Sequence, residues 1–293
     1  MKTAKKIVSV MLVLSFAIGL AACSSGNQDG KAAAKPVLLA VSFGTSYNNN
    51  RNVSIGAIES ALREAYPNYE VRRAFTSQII IDVLDKRDGI DIDNVTEAMD
   101  RLVADGVKEV VVQPTHVIPG FEYDDVVKEV SKYNDKFDSL KIGRPLLVDD
   151  GDYTDLIGVL TKETARYNVA GTALVFMGHG TEHEANATYG KLQEKLTAAG
   201  CSNFYVGTVE GAPELDDVLA LVQVGSYTKV VLMPLMIVAG DHANNDMAGD
   251  EEDSWKTAFE SAGYEVECVL TGLGQYEGIQ QMIVANAAKT MAK

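Results

Sequence analysis

The sequence predicts an α/β fold of two similar halves, each a roughly four-stranded parallel sheet flanked by helices, with an active-site cleft between them. Three observations point there. From Pro36 onward, short apolar runs alternate with amphipathic stretches of helical period. One segment of this pattern recurs at a constant offset later in the chain. The residues with the richest chemistry fall just after apolar runs, at the sheet edge where open α/β folds place their ligands.

The runs expected as strands are 37–41, 71–74, 107–112, 144–148, 172–177, 204–207, 229–233 and 265–270. They are short and almost continuously apolar, as expected of strands covered on both faces. Between them, 55–65, 95–104, 126–133, 153–167, 189–199, 215–224 and 254–262 carry apolar residues at helical spacing. Strand and helix in this alternation argue for parallel sheets with helices on both sides.

Eight strands fit one large sheet or two of four, and the internal repeat decides. Lys108-Glu-Val-Val-Val-Gln-Pro-Thr-His-Val-Ile-Pro-Gly-Phe-Glu122 matches Thr228-Lys-Val-Val-Leu-Met-Pro-Leu-Met-Ile-Val-Ala-Gly-Asp-His242 at an offset of 120, Pro114 falling on Pro234 and Gly120 on Gly240. Earlier, Ser42-Phe-Gly-Thr-Ser46 resembles Gly178-His-Gly-Thr-Glu182 at an offset of 136. The halves are therefore expected at 36–150 and 151–293, with the last helix, about 275–293, packing on the first half.

Leu174-Val-Phe-Met177 reads as a buried strand that Gly178 and Gly180 break around His179, leaving the ring uncrowded. Glu210 and His242 also follow strand ends in the second half. Each alone has an ordinary reading: a lone His is usually a satisfied polar residue, and Glu210 fits a helix cap near Pro213. Their shared placement favours an open site for a borderline divalent metal such as Co²⁺, Fe²⁺, Ni²⁺ or Zn²⁺. In the repeat alignment they correspond to Phe43, about Thr76, and Glu122, so the scaffold is duplicated and the ligands are not. His183 is expected at the rim, because Gly180 and Thr181 oppose a helix that would align it with His179. The acidic run Asp241, Asp246 and Asp250–Asp253 fits the first turn of a helix at 254–262, with a funnel for hydrated cations as the lesser reading.

The first 22 residues read as an export signal: Lys2, Lys5 and Lys6 precede an apolar run, 7–20, too short to span a membrane. Leu20-Ala-Ala-Cys23 resembles the lipobox of bacterial lipoproteins, so Cys23 is the expected lipidation site and the chain an exported protein held to the membrane by that anchor alone. Residues 23–35 read as a flexible tether. Removing 1–22 takes three lysines and no acid, moving the formal net charge from −15 to −18. So acidic a surface repels nucleic acid and attracts cations. Cys201 and Cys268 read as isolated buried thiols, with pairing left open. Neither GxGxxG nor GxxxxGK[ST] occurs, so no nucleotide is expected, and no GxSxG supports hydrolysis.

Several longer motifs carry a resemblance. Leu38-Leu-Ala-Val-Ser-Phe-Gly-Thr-Ser-Tyr47, Arg73-Ala-Phe-Thr-Ser77, Arg87-Asp-Gly-Ile-Asp-Ile-Asp93, Phe176-Met-Gly-His-Gly180, Met233-Pro-Leu-Met-Ile-Val-Ala-Gly-Asp-His-Ala-Asn-Asn-Asp-Met247 and Asp253-Ser-Trp-Lys256 are similar to those of the CbiK-type anaerobic cobalt chelatases, from about residue 36 to the C-terminus. The resemblance implies two chelatase-like domains around a tetrapyrrole cleft and ATP-independent insertion of Co²⁺ into sirohydrochlorin, with Fe²⁺ or Ni²⁺ as alternative metals. It implies His179, Glu210 and His242 as metal ligands, with His179 and Glu210 catalytic. It implies substrate contacts at Ser42, Phe43, Gly44 and Thr45, and at His116 on the facing half. Arg51, Arg72, Arg73 and Lys86 are candidates for the substrate carboxylates. An export signal departs from a cytoplasmic biosynthetic role. A lipid-anchored carrier for metal or haem, or an exported ferro- or nickel chelatase, therefore stands beside the cobalt enzyme, and a homo-oligomer stays open.

Overall fold

The computed structural model describes residues 34–293, which form one compact unit. The signal segment 1–22, Cys23 and the tether up to residue 33 lie outside the described residues.

Two four-stranded parallel sheets carry the fold. The first contains β1 (Val37–Ser42), β2 (Glu70–Phe75), β3 (Glu109–Pro114) and β4 (Ser139–Ile142), in the order β2-β1-β3-β4. The second contains β5 (Thr172–Gly178), β6 (Phe204–Thr208), β7 (Lys229–Pro234) and β8 (Glu265–Cys268), in the matching order β6-β5-β7-β8. The repeat is thus a repeat of topology. Pro114 and Pro234 close equivalent strands, where proline's missing N–H ends the ladder.

The strands alternate between two apolar environments. Leu38 and Ala40 of β1, Val111 of β3, Leu174 and Phe176 of β5, and Val231 and Met233 of β7 share one buried cluster. Their neighbours Val37, Leu39 and Val41 enter a second cluster outside the first sheet, while Ala173, Val175 and Met177 enter a third outside the second. One period-two pattern therefore builds a common core and two outer ones.

The helices are α1 (Asn48–Val53), α2 (Ile55–Ala65), α3 (Gln78–Asp88), α4 (Val95–Ala104), α5 (Phe121–Ser131), α6 (Asp150–Glu163), α7 (Ala187–Ala198), α8 (Leu215–Val224), α9 (Trp255–Ser261) and α10 (Glu277–Met291). The last packs against α2, β3 and β4 of the first half as well as against α6. Asn286 on α10 accepts from Arg144 Nε and donates to the Pro145 carbonyl, and Arg144 also pairs with Asp149 and Asp152. Among the described residues no helix is long and apolar enough to cross a membrane.

Two expectations need correction. The run 144–148 is not a strand; β4 lies just before it. Pro145 offers no N–H, yet Leu146 and Leu147 are buried and donate to the carbonyls of His116 and Val117. Apolarity there marked burial and not extension. Helix α3 was not expected, because Ile79-Ile80-Ile81 shows no helical period. Ser77 caps its start and Gly89, at φ 64°, ends it.

Candidate metal-binding site and cleft

Strand carboxyl ends from both sheets converge on one cleft enclosing about 1060 Å³, its open mouth included. Its walls are largely apolar, with Ile55, Ile80, Val117 and Ile118 on one side and Leu235, Met236, Ile237 and Val238 on the other.

His179 stands directly after the central strand β5. Two glycines make that possible. A Cβ at Gly178 would lie 2.4 Å from the Tyr189 ring, and one at Gly180, where φ is +85°, would lie 2.7 Å from the Glu210 carbonyl carbon. The second approach lets the Glu210 N–H donate to the His179 carbonyl at 2.7 Å, carrying the β5–β6 ladder past the strand ends. Asn186 ties the two loops together, accepting from Thr181 N and donating to Ala212 O. Glu210 is not a helix cap; Glu214 takes that place on α8.

His242 follows β7 and enters a single wide turn, Ala243–Met247, a local π-helix of the kind that recurs at functional sites. Asn244 donates to the carbonyls of Ala239 and Gly240 and holds the bend. The first half grips this loop too: Asn50 accepts from Ala239 N, and the Tyr47 hydroxyl donates to Asp241.

These loops bring His179, Glu210 and His242 together, with one ligand atom of each inside a 4.8 Å span. The two imidazoles meet edge to face at 4.7 Å, and His179 Nδ1 is 3.8 Å from Glu210 Oε2. His179 Nδ1 faces the Gly180 carbonyl at 2.9 Å, and His242 Nδ1 faces Asp246 Oδ2 at 2.8 Å. Both acceptors require the proton on Nδ1, leaving each Nε2 lone pair free. The side chains of His179 and Glu210 are 35% and 58% exposed, open enough to exchange water. Two imidazoles and a carboxylate with free coordination positions suit a divalent transition metal in transit.

The other expected residues divide. Ser42, Phe43, Gly44 and His116 line the cleft. Thr45 does not: it is buried, and its Oγ1 accepts from Tyr47 N, so it shapes the loop from behind. No Lys or Arg is among the lining residues. Arg72 pairs with Glu70 and Asp105, Arg73 with Glu59 and Lys86 with Asp82, while Arg51 is buried against Asn48. His183 stays outside the cluster, its Nδ1 accepting from Ala185 N and its Nε2 3.4 Å from Asp124. Cys201 and Cys268 are unpaired, and burial pushes the Cys268 thiol up to about 11.

Three cleft features were missed. Asp246 belonged to a run assigned to a helix start, but α9 begins only at Trp255, capped by Ser254, and Asp246 backs His242 instead. Glu122 and Tyr189 line the cleft, and burial, chiefly, holds the Tyr189 phenol above its usual range. The repeat alignment had placed Glu122 opposite His242; that was the available signal.

A family model described as cobalt chelatase (CbiK) matches residues 35–292. The chain belongs to the cobalt chelatase family. It is 42% identical over 252 residues to a sirohydrochlorin cobaltochelatase of Salmonella typhimurium, covering 86% of this chain and 95% of the relative. It is 34% identical over 249 residues to the sirohydrochlorin cobaltochelatase CbiKC of Nitratidesulfovibrio vulgaris, covering 83% and 86%. Among solved structures, SirB of Bacillus subtilis with Fe³⁺ superposes with a TM-score of 0.61 at 11% identity, covering 88% of this chain and 96% of that one. That likeness concerns the fold alone.

Proposed function

We propose that this chain is an ATP-independent chelatase that inserts Co²⁺ into sirohydrochlorin. The observation that carries the reading is the His179–Glu210–His242 cluster on the wall of an apolar cleft, in a member of the cobalt chelatase family. The macrocycle lies between the apolar walls, and its carboxylates remain at the solvent-facing mouth, since no cationic side chain lines the interior. Co²⁺ reaches the two Nε2 atoms and the Glu210 carboxylate with water in its remaining positions. It then trades water and protein ligands for pyrrole nitrogens one at a time. His179, assisted by Glu210, takes up a proton released on the metal's side. Ligands that hold the ion only moderately are an advantage, because each must let go during the transfer.

The same donor set accepts Fe²⁺ or Ni²⁺, so the physiological metal follows from supply as much as from ligand type. The lipobox-like Leu20-Ala-Ala-Cys23 supports a second element of the proposal: export and membrane anchoring through Cys23. Cys23→Ser then moves the protein from the membrane fraction to the soluble one; an unchanged distribution rejects the anchor.

The decisive experiment follows tetrapyrrole absorbance after Co²⁺ addition, with purified protein, without protein, and with His242→Ala. Acceleration lost in the variant is the expected result. Tight binding of metal or tetrapyrrole without acceleration makes the chain a carrier instead.

A further inference from the structure

The loops that follow the first strand of each half are built alike. At the offset of 136 residues, Gly44 at φ +104° matches Gly180 at φ +85°, and Thr45 matches Thr181. Each threonine Oγ1 accepts from the backbone N–H two residues on, that of Tyr47 at 3.2 Å and that of His183 at 3.1 Å. The same offset sets Asn50 on Asn186, and here the two loops part. Asn186 stays within its own half, bridging Thr181 N and Ala212 O between the His179 and Glu210 loops. Asn50 crosses to the other half, where its Oδ1 accepts from Ala239 N at 2.9 Å.

The repeat explains why only one of them crosses. At the offset of 120 residues Ala239 falls on Pro119, which has no N–H to give. The bond therefore exists only on the side that carries His242. Ala239 is 2% exposed, and a buried N–H needs an acceptor, which Asn50 provides. The Ala239 carbonyl in turn accepts from Asn244, just beyond His242. A Cβ at the next residue, Gly240, would lie 3.2 Å from Thr45 Oγ1, and Asp241 accepts from the Tyr47 hydroxyl at 3.4 Å. Three successive residues leading into His242 thus rest on the first half, and Asn50 makes the shorter of the two hydrogen bonds.

We propose that Asn50 is a positioning residue for the metal site: by holding Ala239 it fixes where the His242 imidazole stands relative to His179 and Glu210. The half outside the cluster then sets its Co²⁺ affinity. This rests on the metal-binding reading above. Without the amide acceptor the Ala239 N–H loses its partner, segment 239–242 relaxes, and the ring leaves the place where three donors meet one ion. His179 and Glu210 remain tied by Asn186, so the defect is confined to His242.

The test measures Co²⁺ affinity by calorimetry on the full chain for the wild type, Asn50→Ala, Asn50→Leu, Asn50→Asp, His242→Ala and the double variant of Asn50→Ala with His242→Ala. Thermal melting establishes that each is folded. Asn50→Ala should bind Co²⁺ about 10-fold more weakly, with the visible absorption of the bound ion shifted toward that of His242→Ala. Asn50→Leu, close in shape but without an acceptor, should match it and decides the point if the alanine variant does not fold. Asn50→Asp keeps an acceptor for Ala239 N and should restore most of the affinity. In the His242→Ala background Asn50→Ala should cost nothing further, because a residue acting through His242 has nothing left to position. Wild-type affinity in Asn50→Ala and Asn50→Leu overturns the proposal. So does an equal loss with and without His242, or a loss in Asn50→Asp as large as in Asn50→Ala. If His242→Ala binds Co²⁺ as tightly as the wild type, the metal-binding reading itself fails; if it binds weakly and the Asn50 variants do not, only this inference fails.

Discussion

The two halves share one topology and differ in what they place at its edge. After β1 stand Phe43 and Gly44 at φ +104°; after β5, His179 and Gly180 at φ +85°. After β3 stand His116 and Glu122; after β7, Met236 and His242. Duplication therefore fixed the positions from which side chains enter the cleft, and substitution divided the labour. The second half gathers a cluster, His179, Glu210 and His242, that could hold a metal ion; the first presents an aromatic edge, one shielded imidazole and one carboxylate. A tetrapyrrole has two faces, and an asymmetric pair of walls is what inserting a metal from one of them requires.

Restoring symmetry is the harshest test of that division. His179→Phe installs the first half's own residue on the same Gly-flanked edge. Because that edge accepts an aromatic ring, the melting temperature should hold while insertion falls by at least about 100-fold. Retained activity would mean the metal is held elsewhere.

The support behind the ligands comes next. Asp246 accepts from His242 Nδ1, whereas His179 relies on a backbone carbonyl. Asp246→Ala should weaken Co²⁺ binding about 10–100-fold, and Asp246→Asn, which can still accept from Nδ1, should recover part of it. Calorimetry measures both. Wild-type affinity in Asp246→Ala would leave the carboxylate without a role in orienting the ring.

Paired glycine substitutions sharpen the contrast between the walls. Gly44→Ala and Gly180→Ala both force a side chain into a left-handed backbone, costing about 2–4 kcal/mol once the close contacts are included. The obstructing atoms differ: the buried Phe75 ring at 2.6 Å for Gly44, the Glu210 backbone at 2.7 Å for Gly180. Both variants should melt earlier, and only Gly180→Ala should lose Co²⁺ affinity as well.

How much of this was legible in the sequence follows from where the signal is local. Strand ends flanked by glycine announced His179, and the Pro–Gly spacing of the repeat announced the two sheets. The convergence of His179, Glu210 and His242 could be anticipated because all three follow strand ends, whose relative position the topology dictates. Asp246 could not, because its contact with His242 depends on one wide turn that has no propensity signature. The segment 144–148 misled for a related reason. Leu146 and Leu147 are buried by α6 and α10 packing over them, and apolar composition records burial without recording backbone geometry.

The smallest effect separates His116 from Met236 by pH alone. An imidazole held near pKa 4 in the folded chain and near 6.5 when unfolded binds its proton preferentially in the unfolded state. Its contribution to stability is therefore intact above about pH 6.5, erodes as pH falls through the window between the two values, and is fully lost below about pH 4. By pH 5 the loss amounts to about 2 kcal/mol. His116→Met removes the titrating group while keeping an apolar residue that the matching wall already accommodates. Urea unfolding at pH 7 and pH 5 should then show a smaller acid destabilisation in the variant than in the wild type. An equal drop in both would place the acid sensitivity in other groups and would mean that His116 is not held neutral by burial.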